Sequence, residues 1–222
     1  MRRGLLLLAV LVGMSGLPLG AADQAPAGFE KLFNGKDLTG WKVHNGKMEA
    51  WGAADGVLFT TGSGGGWLMT AKEYGDFELR LEYKMPVNGN SGVALRSPLQ
   101  GDPAYTGMEI QLLDDDGPAY KSLKPTQYTG SIYDVVAAKR GATRPAGEWN
   151  QMQITAKGRK ITVTLNGKEI VNANLDEYKD RVKANPEKKL AAHPGLEREK
   201  GHLGLQSHGS RVEFRNLYVK PL

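Results

Sequence analysis

The chain has 222 residues, with 29 Lys+Arg against 24 Asp+Glu, 29 glycines and no cysteine. The absent thiols exclude disulfides, thiolate metal sites, a cysteine nucleophile and a lipid-modified N-terminal cysteine. The formal charge of +5 is scattered along the chain, which argues against a nucleic-acid or anionic-membrane partner.

The N-terminus has the layout of a secretory signal peptide. Arg2 and Arg3 form a basic start, Leu5 to Val12 an apolar stretch, and Gly20-Ala21-Ala22 a small-residue exit before Asp23. Gly13, Ser15, Gly16 and Pro18 dilute the apolar run below the roughly 20 residues that a membrane span needs. Cleavage is expected after Ala21 or Ala22, with export to the periplasm or the medium. Residues 1–22 are then the signal peptide and 23–222 a single domain with no integral membrane segment. That segment takes two of the 29 basic residues and none of the 24 acidic ones, leaving a charge of +3.

Beyond it the chain reads as mostly β. Short alternating runs are separated by turn signals, the pattern of a sandwich or barrel. Gly28 to Trp41 holds a short strand and the Asn34-Gly35 turn. Phe77 to Tyr83 alternates over seven residues and is the most secure strand. Asn88 to Gly92 reads as a turn, and Val93 to Arg96 as the strand after it. Met108-Glu109-Ile110-Gln111-Leu112 alternates strictly, so Met108, Ile110 and Leu112 face a core and Glu109 and Gln111 the opposite side. Trp149 to Ala156, Lys160 to Leu165 and Lys168 to Val171 form a meander, with Asn166-Gly167 the strongest hairpin signal. Leu175 to Lys200 is highly charged, holds Pro186 and Pro194, and reads as a surface insertion walling a groove, with one short helix near 176–183. His202 to His208 alternates again, with Leu203 and Leu205 inward and His202, Gln206 and His208 outward. The last strand is Val212 to Val219.

Several motifs carry no chemistry. Gly62 to Gly66 is followed by neither Gly-Lys-Ser/Thr nor a helix, so it lacks the parts of a phosphate cradle. Asp114-Asp115-Asp116 has no calcium-loop spacing and reads as a solvated turn. His193, inside the charged insertion, is expected to face solvent. The four tryptophans are expected in the core.

The polar faces of the two alternating strands are different. Glu, Gln and His at one level of a sheet suit a binding or catalytic groove better than a plain solvent face. Arg96 is expected on the same outer face beside Glu109, as a fixed cation for a developing oxyanion. Tyr133 offers a ring on which a sugar face can stack.

Together, several stretches resemble the bacterial 3-keto-disaccharide hydrolase domain family. They are Leu32 to Trp41 (LFNGKDLTGW), Asn90 to Arg96, Glu109 to Asp114 (EIQLLD), Thr129 to Tyr133 (TGSIY), Gly147 to Asn150 (GEWN), Gly201 to His208 (GHLGLQSH) and Val212 to Asn216 (VEFRN). The resemblance runs from about residue 28 to the C-terminus. It implies an all-β, concanavalin A-like jelly-roll sandwich of two antiparallel sheets, with a groove on the outer face of one. It also implies a carbohydrate substrate, a glycoside whose sugar carries a ketone at C3.

Such chemistry needs a base near the C2 hydrogen, a donor for the oxyanion and an acid for the leaving oxygen. His208 is assigned as base, Glu109 as acid and Arg96 as oxyanion stabiliser, with base and acid open to exchange. Gln111, Gln206 and Tyr133 are expected to bind the sugar. No cofactor is expected. A divalent cation held by Glu109 and His208 stays open as a replacement for Arg96. A direct glycosidase is disfavoured, since the residue two after Glu109 is the neutral Gln111. The alternative is a non-catalytic, lectin-like carbohydrate-binding module.

Overall fold

The computed structural model describes residues 25–187 and 189–222, so the expected signal peptide lies outside the described residues. Thirteen strands follow one another there: β1 (Glu30–Lys31), β2 (Trp41–His44), β3 (Trp51–Ala54), β4 (Val57–Thr60), β5 (Gly66–Tyr74), β6 (Phe77–Lys84), β7 (Asn90–Ser97), β8 (Met108–Leu113), β9 (Trp149–Lys157), β10 (Lys160–Leu165), β11 (Lys168–Asn174), β12 (Gly201–Ser207) and β13 (Glu213–Pro221). A four-residue helix, α1 (Pro103–Thr106), precedes β8. No helix among the described residues is long and apolar enough to cross a membrane.

The strands form two antiparallel sheets. The larger runs β11-β10-β9-β6-β13-β4-β3, with β1 added on β13, and the smaller runs β2-β5-β12-β7-β8. Their facing sides enclose a common core in which Leu79, Leu81, Ile110, Leu112, Ile154, Val163, Leu165, Leu203, Leu205 and Phe214 are all buried. These are inward positions of alternating strands, so period-2 patterning supplies the core. Asn166 and Gly167 both take positive φ, as a tight hairpin between β10 and β11 requires.

Local differences from the sequence expectation have physical causes. Asn90 to Gly92 belong to β7 rather than to a turn, because they pair with Leu113, Leu112 and Gln111 of β8. The outer edge of β8 is covered by residues 130–133. Gln111 N donates to Ser131 O, and Tyr133 N to Glu109 O, so Tyr133 is held against this sheet by backbone pairing. The aspartate triplet ties down its surroundings. Asp114 accepts from Asn88 N and Asp115 from Thr129 N. Residues 175–181 form 3-10 turns rather than one α-helix, with non-helical backbone at Tyr178. Three tryptophans are buried, whereas Trp149 lies half-buried under the guanidinium of Arg215, 4.0 Å from its ring centre.

Candidate active site on the five-stranded sheet

The outer face of the smaller sheet is laid out in rows. Trp67 of β5 pairs with Gln206 of β12, and Gly92 of β7 with Gln111 of β8. In the next row Met69, Gly204, Ala94 and Glu109 run across four strands. Small residues in the middle, flanked by large ones, leave a trough. Gly92 is essential to it, because a Cβ there would collide with the Glu109 carboxyl. The trough is a cavity of about 410 Å³, sized for one or two sugar rings. Glu109, Gln111, Gln206, His208 and Tyr133 all line it, joined by Asn90, Asp102 and Tyr105.

Glu109 is 3 % exposed, and its Oε1 is buried with no hydrogen-bond partner. Burial, assisted by the negative charge of Asp102, pushes its pKa up to about 8. At pH 7 this carboxyl is mainly neutral, with about a tenth ionised. It is therefore matched to proton transfer near neutrality in either direction.

Beside it, a short hydrogen-bonded chain that does not include Glu109 runs to the cavity mouth. Gln111 Nε2 donates to Asn90 Oδ1 at 2.9 Å, which fixes the Asn90 amide. Asn90 Nδ2 then faces His208 Nδ1 at 3.3 Å. With Nδ2 donating, His208 Nδ1 accepts and Nε2 carries the ring proton. His208 lies one residue beyond the end of β12 and is exposed. Gln206 Oε1 is buried without a partner, a polar atom for a ligand to satisfy. Tyr133 is oriented by Gln127, whose Nε2 donates to its hydroxyl oxygen at 3.1 Å. Its ring meets Tyr105 edge to face, with centroids 6.4 Å apart at 82°.

Arg96 does not join this group. Between Ala94↔Gly204 and Ser97↔His202, β7 advances three residues while β12 advances two. This bulge puts Arg96 at φ 49 and breaks the alternation that would aim it into the trough. The fully buried side chain instead donates to Gly75 O at 2.9 Å, Gly158 O at 2.8 Å and Asp76 Oδ1 at 2.9 Å. It clamps the β5–β6 and β9–β10 turns together. Among the described residues no Lys or Arg lines the cavity. His193 also departs from expectation. It is 2 % exposed, and its ring packs 4.9 Å from that of Tyr105.

Asp102, Asn90 and Tyr105 escaped the sequence reading. Asp102 caps α1, its side chain accepting from Ala104 N, and Pro103 occupies the first helical turn. Asp-Pro is a helix-start signal that could have found it. Among the described residues no group of three or more His, Asp or Glu stands together to hold a metal ion. Within that cavity Asp102, which caps α1, is the one other carboxylate beside Glu109, and the remaining polar groups near Glu109 and His208 are neutral amides and hydroxyls.

Two antiparallel sheets around a common core, with a sugar-sized polar trough outside one of them, define a concanavalin-like jelly roll. A protein of galectin-like fold from Bacillus subtilis superposes with a TM-score of 0.54 over 89% of this chain and 96% of its own, at 11% identity. The 3-keto-alpha-glucoside-1,2-lyase-like domain matches residues 28–220, and the chain belongs to that family. It is 29% identical to a 3-keto-disaccharide hydrolase of Bacteroides thetaiotaomicron over 88% of this chain and 79% of the relative. A provisionally assigned glycosyl hydrolase from Parabacteroides distasonis is 32% identical, with a TM-score of 0.74 over 87% of this chain and 99% of its own.

Proposed function

We propose that this protein cleaves 3-keto-glycosides, giving net hydrolysis by elimination across C1–C2 followed by hydration. The ketone at C3 acidifies the C2 hydrogen. A base takes that proton, and the C2–H electron pair forms an enediolate with negative charge on the C3 oxygen. Collapse of the enediolate makes a C1=C2 bond and expels the C1 oxygen, which takes a proton from an acid. Water then adds, its oxygen to C1 and its proton to C2.

The observation that carries the reading is the buried, unpartnered carboxyl of Glu109 with its pKa raised to about 8. A carboxylate of that basicity suits abstraction of a carbon acid's proton. The hydrogen-bond chain through Gln111 and Asn90 presents His208 as an Nε2–H donor. Of the two assignments left open by the sequence, we therefore take Glu109 as base and His208 as donor to the leaving oxygen. With Arg96 committed elsewhere, the enediolate oxygen is left to neutral donors, the Gln206 amide and the tyrosine hydroxyls. Gln111 orients Asn90, and Tyr133 supplies a ring against the sugar. The family name, with its 1,2-lyase, supports the same bond order of events. We further propose that the protein is exported and begins at Ala22 or Asp23, which N-terminal sequencing of the periplasmic or secreted form tests.

The test of mechanism is turnover of a 4-nitrophenyl 3-keto-α-glucoside deuterated at C2. Elimination and hydration wash the label out of the sugar product. Label retained at C2 points to direct hydrolysis, and tight binding without turnover to a non-catalytic binding module.

A further inference from the structure

The charged segment 175–200 reads from its sequence as solvated surface, yet a stretch toward its C-terminal end is buried beside the wall of the trough. His193, Gly195 and Leu196 are all buried. Gly195 approaches α1 so closely that a Cβ would run into the carbonyl of Gly107, the residue ending that helix. The segment is thus pressed against the element that carries Tyr105. Tyr105 meets Tyr133, which also lines the cavity, edge to face, and its ring packs 4.9 Å from that of His193, which does not line it.

From this packing we infer that segment 175–200 is a specificity wall, in which His193 is a positioning residue that holds Tyr105 against the sugar ring. The inference rests on the proposed reading only in taking a sugar as the occupant of the trough. Among the described residues the Tyr105 hydroxyl has no hydrogen-bond partner, whereas that of Tyr133 is held by Gln127, so Tyr105 keeps its polar tip for a ligand. Its half-buried hydroxyl is further kept protonated, chiefly by burial and then by Tyr133 and nearby carboxylates.

His193 suits a packing role rather than a charged one. Its Nε2 is buried without a partner. The groups around it are Arg181 and Asp134, with Arg181 Nη2 3.7 Å from Asp134 Oδ2 and Lys124 Nζ 3.3 Å from Asp134 Oδ1. Burial, then Arg181, outweighs Asp134 and pushes the imidazole down to about 4, so it is a neutral ring above pH 5. Trough residues on β7, β8 and β12 set the chemistry. The segment, arriving from between β11 and β12, sets how closely one aromatic wall approaches the sugar.

The experiment is a double-mutant cycle read as dissociation constants. The probe is 4-nitrophenyl 3-keto-α-glucoside, titrated by calorimetry in a Glu109→Gln background, where turnover is off. Tyr105→Ala is expected to weaken binding about tenfold and His193→Ala about fivefold, the scale of a lost ring contact. The double variant should bind no more weakly than Tyr105→Ala alone. His193→Phe, which keeps a ring and loses no hydrogen bond at Nε2, should restore affinity to within about twofold. Melting temperatures separate fold from position, since a merely structural His193 would lower stability and leave the affinity of the folded fraction unchanged. Additive losses in the cycle, or wild-type affinity in His193→Ala, overturn the inference. A Glu109→Gln protein that still turns the probe over overturns the proposed mechanism instead, and leaves the cycle readable through KM.

Discussion

The two sheets present outer faces of similar polarity and opposite character. On the larger sheet charge is met by charge. Arg80 pairs with Glu78 at 2.6 Å, Lys84 with Glu213 at 2.6 Å, and Arg215 with Glu82 at 2.7 Å while covering Trp149. On the smaller sheet Glu109 is buried with no cation and an unpartnered oxygen, and Gln206 has a second such atom. The larger sheet even has the roomier concavity, about 560 Å³ along Arg80, Glu82, Gln151 and Tyr218 against about 410 Å³ for the trough. Volume therefore does not mark the site. Uncompensated polarity does, because burying an unpartnered carboxyl costs stability that only a ligand or a reaction explains.

The sharpest way to break the comparison is to remove one carboxylate from each face. Glu109→Gln should lower kcat/KM for a 3-keto-glycoside by about 10²–10⁴-fold, the scale of a lost base. Glu82→Gln, on the other face, should stay within about twofold of wild type. Equal losses would mean that the trough is not where the chemistry occurs. Arg96 comes next. Its guanidinium is buried and bonded to three backbone carbonyls and Asp76. Arg96→Ala should cost about 3–5 kcal/mol in denaturant unfolding, since it leaves those acceptors without their donor. Where the variant folds, KM should be near wild type, in contrast with a residue that touches substrate.

That contrast also explains what the sequence could and could not reveal. Strict alternation at 108–112 and 202–207 placed Glu109, Gln111 and Gln206 on one face, because the period of a strand leaves no other arrangement. Arg96 obeyed the same pattern in sequence and departed from it in space. A bulge is a property of two strands paired together, and nothing within residues 93–96 announces it. His193 was hidden for a similar reason. The ring it packs on, Tyr105, comes from a distant part of the chain, so a run of charges looked solvated around it. Asp102 caps, and Tyr105 lies in, a helix of four residues, too short to leave a periodic signal. Asn90 looked like part of a turn, though it is the link between Gln111 and His208.

A pH series sharpens the comparison further. Glu109 has a folded pKa of about 8 against 4.5 for a free carboxyl, so it is raised. Folding then carries no penalty from it below about pH 4.5, and the penalty grows until about pH 8, where it levels off. Glu109→Gln should accordingly be more stable than wild type at pH 8.5, by on the order of 2–4 kcal/mol, and little different at pH 4.5. His193 has the opposite sign. Its pKa is depressed to about 4, so its share of stability is present above pH 6.5 and lost as pH falls through 4. Activity should rise with pH to a plateau near 8 if Glu109 is the base. A fall through that point would make it the acid. Asp102→Asn removes a negative neighbour and should move that limb to lower pH.

The smallest expected effect is on the compensated face, and it tests whether compensation is what makes that face inert. Arg215 Nε meets Glu82 Oε2 at 2.7 Å, and Asn216 Nδ2 donates to Glu82 Oε1 at 3.0 Å, so both carboxylate oxygens are engaged. The arginine side chain is still 40% exposed, however, and water screens the pair. A double-mutant cycle of Arg215→Met and Glu82→Gln should return a coupling of only about 0.2–1 kcal/mol, shrinking in 1 M salt. The stacking of Arg215 on Trp149 survives neither single change at Arg215 nor the double one, so it cancels in the cycle. A coupling of several kcal/mol, insensitive to salt, would show that this face is built as tightly as the Arg96 clamp. The contrast between the sheets would then lie in how each holds its charges, and no longer in whether they are paired.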